Sequence, residues 1–248
     1  MICPKCHYEQ AAGRLECQRC GVVFSKIRER RAEDNRTGAA PGVAVPGRAW
    51  PTLLKDVLLP EPADANPLVV GARSLLLVLV AVWSLSFLFA SVQSNVVGHS
   101  FMHLINLPFH EAGHIIFSPF GRFLQVLGGT LGQLLMPAVC AAVLLLRTRD
   151  AFGAAMALWW LAESFMDIAP YINDARALNL ILLGGVTGKD VADYHDWEYL
   201  LGSLGVLRVD HALAWLAQGT GIVLMLCALG WAGTNLWIQV RACREHAH

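Results

Sequence analysis

Ser74-Leu-Leu-Leu-Val-Leu-Val-Ala-Val-Trp-Ser-Leu-Ser-Phe-Leu-Phe-Ala-Ser-Val92 carries no charge, no proline and no glycine. Its length is about that required for an α-helix to cross ~30 Å of hydrocarbon. Residues 123–146 and 212–240 are also long and apolar enough to span. Residues 151–169 are apolar except for Glu163 and Asp167, and residues 100–118 except for His103 and the cluster His110, Glu111 and His114. No strand-like alternation and no internal repeat is evident, so the fold class is all-α, a polytopic transmembrane helical bundle. Composition agrees: 55% of the chain is hydrophobic and only 15% charged, against roughly 25% charged in soluble domains. Formal net charge is zero, so nothing global points to a nucleic-acid partner.

Three segments follow from composition. Residues 1–25 are compact and rich in Cys. Residues 26–68 begin with the mixed-charge run 26–36, read as a short solvated helix, and continue as an Ala/Gly/Pro linker containing Pro41, Pro46, Pro51, Pro60, Pro62 and Pro67. Within it, Trp50 to Leu59 has enough apolar character to lie on the membrane surface. Residues 69–248 form the membrane part. The opening Met-Ile-Cys-Pro-Lys-Cys lacks a basic stretch leading into an apolar one, so the first span is expected to act as its own insertion signal.

Lys and Arg crowd the chain before residue 74, whereas Val92 to Ser100 has none. The positive-inside bias therefore predicts a cytosolic N-terminus. Arg147, Arg149, Arg241 and Arg244 also read as cytosolic, and the acid-rich loop 186–211 as external. This is consistent if residues 100–146 cross a net single time, for example with one re-entrant piece. Pro108, Pro119, Gly121, Gly128, Gly129 and Gly132 suggest broken helices there.

Cys3-Pro-Lys-Cys6 and Cys17-Gln-Arg-Cys20-Gly21 form two CxxC knuckles. Each offers two thiolates on one tight turn, and together they complete a tetrahedral set of four sulfurs suited to a structural Zn²⁺. Two disulfides are the alternative, disfavoured in a reducing cytosol. Metal would supply much of the folding energy that so short a segment lacks. His7 is not needed, because four cysteines fill the site. The segment resembles the zinc ribbons of many bacterial proteins, which implies a docking module for a cytosolic protein partner and the inner (cell) membrane as location. Cys140, Cys227 and Cys243 have no partner spacing and read as small apolar fillers.

His110-Glu111-Ala-Gly-His114 matches HExxH. On a helix the two histidines share a face and can bind one metal, and Glu111 can reach a metal-bound water as the catalytic base. Asn106 and Pro108 suit a helix start, and Ser118-Pro119 its end. Two histidines and a carboxylate in an apolar segment are costly in lipid unless they face a polar interior or a metal. A catalytic zinc takes a third protein ligand. Glu163, Asp167, Asp174 and the stretch His195-Asp196-Trp197 are the candidates. Asp167 is the choice, because it lies near an expected helix end at Pro170. Glu163 would be its orienting partner, and His195 is the best rival.

HExxH in a membrane segment, a Gly-rich stretch some fifteen residues later and an acid on a following helix together resemble the site-2 protease family of intramembrane zinc metalloproteases. The resemblance covers roughly residues 100–175 and implies that His110 and His114 bind zinc, that Glu111 is catalytic and that Asp167 is the aspartate ligand. Gly128-Gly129-Thr-Leu-Gly-Gln133 is similar to the family's substrate-touching Gly-Pro-x-x-Asn stretch, with Gly for Pro and Gln for Asn. Ile168 follows Asp167 where the family usually has Gly. The implied activity is endopeptidase cleavage of transmembrane protein substrates by zinc-activated water, and the implied partners are the lipid bilayer and those substrates. The alternative is a non-proteolytic zinc-binding membrane adaptor, which has no use for a carboxylate at an open metal. A metal transporter is disfavoured, since no stepwise relay of polar residues runs along several spans.

Overall fold

The computed structural model describes residues 3, 8–11, 15–18, 20, 22–25, 55–60 and 66–245. Cys6, His7, the charged run 26–36 and residues 37–54 and 61–65 of the linker lie outside the described residues. The chain divides into two units, Met1–Trp50 and Pro51–His248.

In the first unit, Cys3 N donates to Tyr8 O at 2.9 Å and Cys17 N to Val22 O at 3.0 Å. The two cysteine turns thus close in the same way. An antiparallel bridge joins Glu16 to Val23, and Phe24 packs against Cys3 and Cys17.

The second unit is an all-α bundle of α1 (Pro67–Leu88), α2 (Phe101–Phe117), α3 (Arg122–Leu146), α4 (Ala151–Asn173), α5 (Asp196–Ser203) and α6 (Asp210–Glu245). Helices α1 and α3 and the segment Leu207–Glu245 are long and apolar enough to cross a membrane, so the protein is an integral membrane protein. Helix α4 is central, with α6, α3 and α2 around it. Its Ala154, Ala155, Ala162 and Ala169 are fully buried, and Gly221 of α6 sits where a Cβ would come within 2.7 Å of the Ala162 carbonyl. Small residues of this kind let membrane helices approach closely where lipid gives no hydrophobic drive. Trp83 and Trp159 pack as tilted rings with centroids 5.8 Å apart between α1 and α4, and Trp159 Nε1 donates to Ser84 Oγ at 2.7 Å.

Helix α1 starts earlier than the apolar run of 74–92 and stops at Leu88. Asn66 accepts from Leu68 N at 2.9 Å as N-cap, and Pro67 opens the first turn without losing a bond. Arg73 therefore lies inside the helix, where its guanidinium meets Asp150 Oδ1 at 3.0 Å and Gln239 Oε1 at 2.9 Å. This contact gathers the start of α1, the turn after Arg147 and the end of α6 at one end of the bundle.

The expected start of the motif helix at Asn106 and Pro108 is not observed. Helix α2 begins at Phe101, and Pro108 is interior, where it leaves the Leu104 carbonyl without its helical donor. Met102 packs with Trp159 and Ala162, so α2 enters halfway along α4. Its end is as expected: Ser118–Phe120 forms a 3₁₀ turn, and Gly121 reverses the chain at φ 91°. That turn is the one break in this region; α3 runs unbroken through Gly128, Gly129, Gly132 and Pro137. The glycines serve close packing instead, since a Cβ at Gly128 would lie 2.6 Å from the Gly113 carbonyl of α2. Helix α4 likewise passes Pro170 and continues to Asn173, so Asp167 does not stand at a helix end.

Candidate metal centres

In the first unit the Sγ atoms of Cys3, Cys17 and Cys20 all lie within 4.8 Å of one another, with Cys3 and Cys20 at 3.8 Å. Cys3 and Cys17 are buried. Three convergent thiols on two matching turns are poised to bind zinc.

In the second unit the ligand atoms of His110, Glu111 and His114 also lie within 4.8 Å of one another. Helical spacing puts them on one face of α2, and α3 fits against that face because it presents Gly129. A Cβ there would come within 2.5 Å of His110 Nε2 and 2.6 Å of His114 Nε2. The three side chains line a cavity of about 1020 Å³ that also receives His103, Tyr171 and Leu180–Gly184.

The hydrogen bonds determine which imidazole nitrogen each ring turns to the cavity. His114 Nδ1 lies 2.9 Å from the Gln125 carbonyl, an acceptor only, so Nδ1 carries the proton. His110 Nδ1 lies 3.3 Å from Gln133 Oε1. The Gln133 amide cannot be turned round, because its Nε2 donates to Asp167 Oδ2 at 2.8 Å. Hence His110 is also protonated on Nδ1. Both rings turn Nε2 to the cavity, the nitrogen that a divalent metal would take. Two imidazole nitrogens and a carboxylate are the donor chemistry of catalytic zinc sites, so the residues fit that ion.

The remaining candidates occupy distinct places. Asp167 sits in a buried network: His103 Nδ1 is 2.9 Å from Oδ1, and Asn106 Nδ2 is 3.0 Å from Oδ2. Glu163 lies one turn earlier, its Oε2 accepting from the same Asn106 amide at 2.9 Å. Trp160 Nε1 donates to Asn106 Oδ1 at 2.8 Å, which fixes that amide with its donors towards the acids. Asp174 closes the turn after α4 by accepting from Asn179 N at 3.0 Å and Leu180 N at 2.9 Å. His195 is the N-cap of α5, its Nδ1 accepting from Glu198 N at 3.2 Å. Its Nε2 faces Asp174 at 3.6 Å, and burial holds the ring below its ordinary pKa, hence neutral.

The acid that reaches the histidines is Asp196. Its Oδ2 is 2.9 Å from His110 Nε2 and 3.3 Å from His114 Nε2. Tyr171, whose hydroxyl accepts from Asp196 N at 2.9 Å, holds it in place. The sequence offers Asp196 only within the candidate stretch His195-Asp196-Trp197, where His195 is preferred, and does not mark Tyr171, because both reach the site only through the fold. Gln133, similar by position to a substrate-contacting Asn, here bridges Asp167 and His110. No protein-family model matches this chain, and no curated protein or solved structure does.

Proposed function

We propose that this protein is an intramembrane zinc metalloprotease of the site-2 protease type, cutting peptide bonds of membrane-protein substrates. The observation that carries the reading is the convergence of His110, Glu111 and His114 in a cavity within a membrane helical bundle. Zinc held there would act as a Lewis acid, polarising a carbonyl and acidifying a water. A Glu111 carboxylate oxygen takes the proton of the attacking water and passes it to the amide nitrogen as the C–N bond breaks. Leu104, Leu107 and Ile181 offer the cavity an apolar wall, while Asn95 and Asn179 offer partners for exposed backbone. Helical peptides shield their carbonyls, so substrates are transmembrane helices that unwind readily, with Gly, Pro or Asn near the cut.

The cysteine cluster is read as a four-sulfur zinc ribbon with Cys6 as the fourth ligand, docking a cytosolic protein partner. The Lys/Arg excess before residue 74 supports a cytosolic N-terminus in a bacterial-type inner membrane. The purified full chain, mixed in detergent with synthetic transmembrane peptides bearing central Gly, Pro or Asn, is expected to cleave them. A chelator should stop cleavage and added zinc restore it. Undiminished cleavage after chelation, with zinc verified absent, would show that the hydrolysis is not zinc-dependent.

A further inference from the structure

Two histidines leave a catalytic zinc one protein ligand short. We propose that Asp196 is that third ligand and that Asp167 is a positioning residue acting on His110 through Gln133, an inference that rests on the zinc-hydrolase reading above. Both histidines engage Nδ1 with an acceptor, so each turns its Nε2 to Asp196. Three potential ligand atoms converge, Asp196 Oδ2 lying 2.9 Å and 3.3 Å from the two nitrogens. A proton on an Nε2 makes the cluster an ion pair, and a zinc ion in place of the proton would take the same three atoms as donors. The spacing is near the ~3.3 Å that separates ligands about 2.0–2.1 Å from a tetrahedral zinc.

Asp196 is also built to stay there. It opens α5, whose Trp197, Leu200 and Leu201 are buried against Ile168 and Ile172 of α4, and Tyr171 takes its backbone N–H. The segment after α4 thus delivers a carboxylate to α2 from a rigid base. Asp167 is placed differently. Its Oδ2 already receives the Asn106 and Gln133 amides at 3.0 and 2.8 Å, and its Oδ1 faces His103. Through Gln133 it sets the tautomer and orientation of His110, which is the work of an outer carboxylate in metal sites.

The test is zinc per chain, by elemental analysis, on full-length protein purified in detergent. Asp196→Ala should lose the zinc that the double variant His110→Ala/His114→Ala loses, and Asp196→His, which restores a ligand, should regain it. In chelator competition, Asp167→Ala and Gln133→Leu should each weaken that zinc by about 10–100-fold. Their double variant should be no weaker than either single, because they act along one path. Retention of the zinc by Asp196→Ala, or failure of Asp196→His to restore it, overturns the assignment. If the double histidine variant keeps the full zinc content, the underlying zinc-hydrolase reading fails instead.

Discussion

Glu111→Gln is expected to keep its zinc and to lower peptide cleavage by about 10²–10⁴-fold, the span that general acid–base catalysis contributes. The amide is close to the carboxylate in shape and leaves the helix and the two histidines in place. It cannot accept a proton from water, nor carry one to the leaving nitrogen. The measurement pairs product quantification by mass spectrometry with metal content of the same preparation. Full cleavage by Glu111→Gln would remove Glu111 from the chemistry. Loss of zinc along with activity would make Glu111 a ligand rather than a base.

Gly129→Ala is expected to empty the membrane centre although the substitution adds one methyl group. The new carbon would stand 2.5 Å from His110 Nε2 and 2.6 Å from His114 Nε2, well inside the ~3.5 Å at which such atoms pack. Both rings would have to turn away, and with them both nitrogens that face Asp196. The sign of the accompanying stability change separates site damage from a folding effect. Alanine in a helix interior is favoured over glycine by about 1 kcal/mol, so local propensity alone predicts an unchanged or higher melting temperature and unchanged zinc. Gly71→Ala, with nothing within 4 Å of the added carbon, is the control and should retain full zinc content.

The membrane class was legible because it depends only on local composition: long uncharged runs have few other places to go. Helix ends were less so. Arg73 stands just before the uncharged run, yet it lies inside α1 and is satisfied by Asp150, the N-cap of α4, and Gln239 of α6. Pro108 and Pro170 read as helix boundaries, yet both lie inside helices, as membrane helices tolerate when neighbours re-satisfy the backbone.

The same division runs through the site. His110, Glu111 and His114 are readable because one helical turn brings them together. Asp196 is 86 residues from His110 and arrives only when the chain after α4 folds back, so no spacing marks it. His195 drew notice as an imidazole, but its nitrogens serve the α5 cap and face Asp174. Asn106, read as a helix start, ties Trp160 to the two buried acids. Its buried position between helices gives it that role, and a linear sequence does not reveal it.

Under the proposed function, zinc is held by His110 and His114 within the membrane bundle, separately from the cysteine cluster. Zinc per chain decides it. Wild type should carry two zinc ions, Cys3→Ser/Cys17→Ser one, and His110→Ala/His114→Ala one. A wild-type protein with a single zinc that survives loss of both histidines and vanishes with the two cysteines would mean that His110 and His114 hold no zinc.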